Sequence, residues 1–415
     1  MGCGRVADGG SFKRRSHFLR TRRFFPLSGS PVALTPATLA VLLVGLASRH
    51  PLATRSPQSR PVAAPKSPRS RPLSDPSVSE PPERAAVTVY GSGSMGTAMA
   101  LHLVDLGHAV TLWTRTGAKA ERLRSERSNP LLPGHPLPAA LSITADAAAA
   151  VAADWHLLAV PSKYLRAQLE TLSASLGDRP RRFISVIKGI ENDSLARPTQ
   201  IVAETLPATS LTCLSGPSHA EEIAAKQPTS MVAASEDEAA AAAVQELFNS
   251  DRLRVYTNRD LTGVELAGAL KNVFGLAAGI CDGIGFGDNA KAALLTRAVT
   301  EMQRFGAAFG AAEDTFAGLA GIGDLIATCT SRHGRNRSVG ERLGRGESLD
   351  QILDSMGGSV SEGVPTTASI FAMSRRRGIE MPIVDEVHAV LFDGKSVASA
   401  AASLLTRPVR SETGW

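Results

Sequence analysis

At 415 residues the chain is about three times the length of a typical single domain, so two or three domains and a large core are within reach. It is 43% hydrophobic and 20% charged, with 37 Gly and 25 Pro, which excludes a wholly disordered or fibrous protein. The formal charge of +6 divides unevenly. Residues 1–84 hold 14 Lys/Arg and 4 Asp/Glu, whereas the remainder holds 31 and 35, so the body is net acidic and gives no reason to expect nucleic acid. Four widely spaced cysteines (Cys3, Cys213, Cys281, Cys329) with no CxxC imply neither a disulfide framework nor a thiolate metal site.

Residues 1–84 read as an address. They are rich in Arg, Ser and Pro, and no acid stands between Asp8 and Asp75. Organellar transit peptides have this bias. The apolar run Leu39 to Ala47 is too short for a comfortable membrane span but suits a signal-peptide h-region. The combination fits two-step import into a plastid, with the mitochondrion as the alternative. No other apolar run is long enough for a membrane span.

From Val87 short β-rich runs alternate with Ala-rich helical stretches. VTVY (87–90) is the first strand; a helix then runs to Leu106, with Gly107 as C-cap. Further strands are expected at HAVTLW (108–113), WHLLAV (155–160), RFISVI (182–187), LTCLS (211–215), TSMVAA (229–234) and LRVYT (253–257). The alternation predicts a doubly wound parallel sheet at 85–258. Strand signals stop near Asn258. The pattern predicts a helical domain at 259–407, jointed at 283–287, 318–323 and 357–363, and a tail at 408–415.

GSGSMGTA (91–98) follows the first strand and opens a helix, the context that gives a G-x-G-x-x-G spacing its meaning. Gly91 permits a tight turn, Gly93 lets the backbone approach a pyrophosphate, and Gly96 lets helix pack on strand. Free N–H groups at the helix start complete a dinucleotide site. After the second strand stands Trp113-Thr114-Arg115, with no carboxylate until Glu121. Arg115 can stack on adenine or face a 2′-phosphate, so NADP(H) is allowed alongside NAD(H).

Ligands of an open α/β sheet sit beyond the carboxyl ends of its strands. Here those ends carry Pro161-Ser162, Lys188-Gly189 and Gly216-Pro217-Ser218-His219. Lys188 projects a cation into the crevice; Ser218 serves as N-cap and hydroxyl donor. In ELAGALKNVFGLAAGI (265–280) the only polar side chains after Glu265 are Lys271 and Asn272. A lysine on such a helix needs a partner. Gly268, Gly275 and Ala278 share its face, so a ligand or another backbone can come close. The functional reading is an active-site acid; the alternatives are a snorkelling lysine or a glycine-mediated helix contact. Asp324, in GLAGIGDLIATCT (318–330), suits an N-cap or a group that orients a lysine. SRHGRNR (331–337) gathers Arg332, His333, Arg335 and Arg337, which suits an anion clamp as well as a solvated loop.

Together these motifs resemble the soluble NAD(P)-dependent glycerol-3-phosphate dehydrogenases, bacterial and plastid branch. The likeness runs from about Val87 to about Leu405. It also takes in NPLLPG (129–134), VPS (160–162), SGPSHAEE (215–222), DGIGFGDNAKAALLTRAVTEM (282–302), SEG (361–363) and MPI (381–383). The resemblance implies an α/β fold: an N-terminal Rossmann-like doubly wound domain followed by an all-α C-terminal domain, 6-phosphogluconate-dehydrogenase-like in architecture. It implies reversible reduction of dihydroxyacetone phosphate to sn-glycerol 3-phosphate with NAD(H) or NADP(H), for glycerolipid synthesis. Lys271 then takes the place of the proton donor and acceptor. Lys188, Gly216, Ser218, Asp324, Arg335 and Asn336 fall at substrate positions. Gly91, Gly93, Ser94, Met95, Gly96, Arg115, Lys188, Ala220, Arg335, Val360 and Glu362 fall at cofactor positions. No metal is implied.

Two positions depart from the family pattern. Gly334 replaces the usual Ser before Arg-Asn, removing a hydroxyl contact to phosphate. Met95 replaces an aromatic residue in the glycine loop. A hydroxy-acid dehydrogenase and a non-catalytic dinucleotide sensor stand as alternative readings. Small-residue helix faces in 262–310 suit a homodimer as readily as an internal contact.

Overall fold

The computed structural model describes residues 84–176, 181–206, 210–356, 361–409 and 411–412. The expected targeting leader therefore lies outside the described residues, except Arg84, and so does Val360.

Among the described residues eight strands form one sheet. They are β1 (Ala86–Tyr90), β2 (Ala109–Trp113), β3 (Ser142–Thr144), β4 (Trp155–Leu158), β5 (Arg182–Ser185), β6 (Ser210–Ser215), β7 (Thr229–Ala234) and β8 (Leu253–Asn258), in the order β3-β2-β1-β4-β5-β6-β7-β8. The helices among them are α1 (Ser94–Asp105), α2 (Gly117–Glu126), α3 (Ala147–Ala150), α4 (Leu165–Leu176), α5 (Pro198–Thr205), α6 (Ala220–Ala224) and α7 (Glu238–Phe248). After Asn258 the described chain is helical: α8 (Leu261–Gly283), α9 (Asp288–Ala307), α10 (Glu313–Ala317), α11 (Asp324–Thr330), α12 (Arg335–Gly344), α13 (Leu349–Ser355), α14 (Gly363–Arg377), α15 (Pro382–Phe392) and α16 (Val397–Leu405). All of this belongs to one compact unit, residues 76–415.

β4 is buried along its whole length, as a strand covered on both faces must be; Trp155, Leu157 and Leu158 are apolar, and buried His156 is matched by the Tyr90 hydroxyl at 2.9 Å. Three details differ from the sequence reading. The edge strand β3 was not expected: its three residues bury only Ile143, too little for a hydrophobic pattern. The sheet is not wholly parallel, because β7 runs antiparallel to β6. Their link holds only the five-residue α6, about 7 Å of helical rise, too short to carry the chain back along a strand of about 20 Å. The link to β8 contains the eleven-residue α7 and does make that return, so β7 and β8 are parallel. Finally, Leu106 caps α1, and Gly107 follows in the left-handed conformation with φ +86°.

The centre of the helical part is α8. Contrary to the sequence expectation it is long and apolar enough to cross a membrane, yet 89% of its most apolar window is buried inside the protein. It is a core helix, buried on every face from Gly263 to Gly279. Phe274, Leu270 and Leu276 are fully buried in it. Its C-terminal half packs on α12 with backbone against backbone. A Cβ on Gly279 would lie 2.0 Å from the Arg337 carbonyl oxygen, and one on Gly340 would lie 2.0 Å from that of Leu276. The small residues of α8 thus serve an internal seam, and that seam brings the start of α12 beside Lys271.

Candidate active site

The glycine loop meets the steric conditions that its spacing predicts. Gly91 has φ +112°, and a Cβ there would sit 2.6 Å from the Ala159 carbonyl oxygen. A Cβ on Gly96 would sit 1.9 Å from the Gly91 oxygen. Gly93 caps α1, and apart from its own chain neighbours nothing lies within 4 Å of its Cβ position. That open space, with the leading N–H groups of α1 free of helical partners, is a cradle for a pyrophosphate. Ser94 spends its hydroxyl on the Leu131 carbonyl at 2.5 Å. Buried Asn129 donates to Thr97 Oγ1 at 2.7 Å and to the Ser92 carbonyl at 3.2 Å, bracing the loop. Met95 is partly buried against the core beneath the sheet.

Beyond β5 and β6 three charged side chains meet. Lys188 Nζ donates to Asp324 Oδ2 at 2.7 Å, and to the Gly216 carbonyl and Ser218 Oγ, each at 2.9 Å. Lys271 Nζ donates to Asp324 Oδ1 at 3.1 Å and to Thr328 Oγ1 at 2.7 Å. Asp324 is only 2% exposed and Lys271 8%. Two ammonium groups on one carboxylate leave this pocket net positive, the state that welcomes an anion or a developing oxyanion. Burial, with Lys188 adding to it, brings the Lys271 pKa down to about 8 against the opposing pull of Asp324. Burial alone would raise Asp324; the two ammonium groups outweigh it and hold the carboxyl below its ordinary value.

Two assigned caps are corrected. His219, not Ser218, precedes the first residue of α6, and the Ser218 hydroxyl turns back to the Gly216 carbonyl at 2.8 Å. Asp324 is the first residue of α11 rather than its cap, which is Gly323. A turn of π-helix at Leu319–Gly323, with Gly321 at ψ −105°, precedes it. This break frees the Asp324 carboxylate from capping and leaves both oxygens to the lysines. Gly216 has φ +129°. Ala220 is buried at the start of α6.

A chain of amides runs behind the lysines. Asn272 Nδ2 donates to the Lys188 carbonyl at 2.6 Å, and its Oδ1 accepts from Asn336 Nδ2 at 2.8 Å. Asn336 Oδ1 accepts from Ser361 Oγ at 2.7 Å and Gly363 N at 3.0 Å. Glu362, between those two, accepts from Ser162 Oγ at 2.8 Å and Ser162 N at 3.2 Å. Burial raises the Glu362 carboxyl, partly offset by Ser162. This pair lies directly over Gly189, where a Cβ would be 2.7 Å from Ser162 Oγ.

Of the basic loop, Arg337 is locked to Asp282 at 2.6 Å. Arg335 is exposed at the first position of α12, whose cap, Gly334, contributes no side chain. A Cβ on Gly334 would lie 2.7 Å from the Thr328 carbonyl oxygen. The site therefore comprises Lys188, Lys271, Asp324, Gly216, Ser218 and the start of α12. An apolar groove of about 440 Å³ between α8, α9, α15 and α16 shares none of these residues.

The family model described as NAD-dependent glycerol-3-phosphate dehydrogenase N-terminus matches residues 86–241, and its C-terminal counterpart matches 260–402. The chain belongs to the NAD-dependent glycerol-3-phosphate dehydrogenase family. A glycerol-3-phosphate dehydrogenase [NAD(P)+] of Salinibacter ruber is 46% identical over 338 residues, 79% of this chain and 97% of that one. One from Prosthecochloris aestuarii is 45% identical over 331 residues, 79% and 99% of the two chains. The crystal structure of glycerol-3-phosphate dehydrogenase from Coxiella burnetii superposes with a TM-score of 0.75 at 34% identity, covering 78% of this chain and 99% of that one.

Against this family background, sequence reasoning missed Thr328, Asn129 and the connecting role of Asn272. Thr328 carried a signal: it stands four residues after Asp324, on the same helical face.

Proposed function

We propose that the protein catalyses the reversible NAD(P)H-dependent reduction of dihydroxyacetone phosphate to sn-glycerol 3-phosphate. The observation that carries this reading is the buried Lys188–Asp324–Lys271 cluster, net positive and beside the start of α12. The open space at Gly93 fits the dinucleotide, which supplies hydride when bound. Lys271 donates its proton to the carbonyl oxygen in reduction and recovers it in oxidation; a pKa of about 8 lets it do both near neutral pH. Lys188 stabilises charge developing on the same oxygen. Asp324 holds both ammonium groups in place. Arg335 and the free N–H groups at the start of α12 take the phosphate. The side-chain carbonyl of Asn336 is already used on Ser361 and Gly363, so its contribution to substrate comes from the backbone or its remaining N–H. Ser162 and Glu362 border the cofactor side of the lysines.

The reading extends to supply of glycerol 3-phosphate for glycerolipid synthesis in a plastid; the basic, acid-poor composition of residues 1–84 supports that location. The test is nicotinamide absorbance with dihydroxyacetone phosphate, beside a phosphate-free 2-keto acid. Oxidation of cofactor with the phosphate ester alone is expected. Turnover with the keto acid alone would replace this reading with a hydroxy-acid dehydrogenase, and a bound cofactor with no turnover would replace it with a sensor.

A further inference from the structure

Asp260 stands where the sheet hands over to the helices. Its backbone N–H donates to Asn258 Oδ1 at 2.8 Å, at the end of β8. Its carboxylate is divided between two segments. Oδ1 caps α8 by accepting from Gly263 N at 2.7 Å. Oδ2 accepts from Thr315 Oγ1 at 2.6 Å and from Ala312 N at 2.9 Å, at the start of α10. Capping needs one oxygen only, so the bonds to α10 go beyond what starts α8. Gly263 makes room for them: a Cβ there would lie 2.0 Å from Asp260 Oδ2.

Each segment leads to one member of the charged cluster. Lys271 lies about three turns further along α8, about 16 Å of helical rise. From Thr315 the chain passes through Gly318 and the π-helical turn to Asp324, and that path is stiff. Gly318 N donates to the Thr315 carbonyl and Gly323 N to the Gly318 carbonyl, each at 3.2 Å. A Cβ on Gly321 would lie 2.1 Å from the carbonyl oxygen of Phe316, whose side chain is fully buried. The two segments therefore form a closed ring. Asp260 joins them at one end, and the Lys271–Asp324 pair joins them at the other.

The sheet backs the π-helical turn only in part. A cavity of about 500 Å³ opens between β7, β8 and that turn, with Val232, Tyr256, Thr315 and Leu319 in its walls. The bonds from Asp260 tie the near end of the segment to α8 beside this opening.

We propose that Asp260 is a positioning residue for the reduction: it sets α8 against the segment that leads to Asp324, and so places the Lys271 ammonium on the Asp324 carboxylate. The proposal rests on the reaction proposed above. Lys271 is faced by Asp324 and Cys329 on α11 and by Lys188 beyond β5, and its charge also reaches His219 at the start of α6. Of these groups Asp324 does most to raise the Lys271 pKa against burial, so a slackened contact takes it further below about 8.

Asp260→Asn separates capping from clamping. Asparagine caps a helix as well as aspartate does, but its single carbonyl oxygen cannot serve both α8 and α10. Thr315→Val removes one bond of the clamp and leaves the cap untouched. In the full chain, kcat with dihydroxyacetone phosphate and KM for the cofactor are measured. The titration of Lys271 is followed by NMR of carbon-labelled lysine, its signal assigned by loss in Lys271→Met. In Asp260→Asn, kcat should fall at least about tenfold with cofactor KM unchanged. Lys271 should titrate at least about half a pH unit lower. Thr315→Val should move both in the same direction by less, and it decides alone if Asp260→Asn does not fold. Wild-type kcat and Lys271 titration in the variants would reduce Asp260 to a helix cap and overturn the proposal. So would slower variants in which Lys271 titrates as in the wild type, since general loosening would then explain the loss. If the wild-type chain leaves dihydroxyacetone phosphate unreduced, the proposed reaction falls while the titration still decides the clamp: a lower midpoint in Asp260→Asn upholds it and an unchanged one removes it.

Discussion

Lys271 and Lys188 share one carboxylate, each ammonium resting on a different oxygen of Asp324, at 3.1 Å and 2.7 Å. The two lysines come from the core helix and from a strand end, so Asp324 fixes the distance between the proposed proton donor and the proposed oxyanion partner. Lys271→Met should remove the proposed proton donor while leaving an apolar side chain of similar length in an apolar helix. The expected result is a folded protein that binds cofactor and reduces dihydroxyacetone phosphate at least about a hundredfold more slowly. Nicotinamide absorbance gives the rate and cofactor fluorescence the binding; undiminished turnover would remove Lys271 from its role.

Asp324→Asn should do more damage to stability than the lysine change. It leaves two buried ammonium groups without their counter-charge, a loss of about 3–5 kcal/mol by the usual cost of breaking a buried pair. Urea denaturation of the variant and of the Asp324→Asn, Lys271→Met double mutant checks this. The double mutant should recover part of the loss, because one of the stranded charges is gone.

The pH dependence follows from Lys271. In the proposed mechanism reduction needs the protonated form, so kcat/KM for reduction should fall as pH rises through about 8, and oxidation should rise through the same value. Stability carries the same signature with its own sign. The folded pKa lies below the ordinary 10.5, so between about 8 and 10.5 the unfolded chain holds the extra proton. Across that window this residue's contribution to stability grows with pH. Steady-state rates in both directions from pH 6 to 10 test the first statement; a reduction limb unmoved in Lys271→Met would assign the titration to another group.

Lys271 stood out in the sequence because a single cation in an otherwise apolar helix needs a partner, and the fold gives it Asp324 and Thr328 in place of a snorkelling position. The glycine loop was legible because its spacing, its strand and its helix are contiguous. Thr328 and Asn272 were not, since each acts through a partner far away in sequence: Thr328 on Lys271, and Asn272 on Lys188 and Asn336. The reversal between β6 and β7 depends on the length of helix in their link, which apolar periodicity does not measure. The glycines of α8 suited either a ligand or another backbone; in the fold Gly268 meets the Ser215 and Lys188 side chains, Gly275 meets Thr328 and Asn336, and Gly279 meets the backbone of α12.

That seam makes a strong prediction of its own. Gly279→Ala places a methyl where the Arg337 carbonyl oxygen already sits, and no side-chain rotation can relieve a clash with backbone. A loss of about 1–3 kcal/mol is expected, measured as a lowered urea midpoint at constant m-value. Activity should fall with it, because α12 would be pushed off α8 and Arg335 rides on its first turn.

Gly334 offers the counterpart at the substrate end. Restoring the family's serine would be expected to add a hydroxyl to the phosphate site. The geometry argues the opposite for this chain: a Cβ there falls 2.7 Å from the Thr328 carbonyl oxygen, on the residue whose hydroxyl holds Lys271. Gly334→Ser should therefore shift the turn between α11 and α12 and loosen Lys271. The expected outcome is a lower kcat together with a higher KM for dihydroxyacetone phosphate, each by about threefold to tenfold, half to one and a half kcal/mol. A serine variant with lower KM and unchanged kcat would show that the turn yields without cost, and that the missing hydroxyl alone limits phosphate binding.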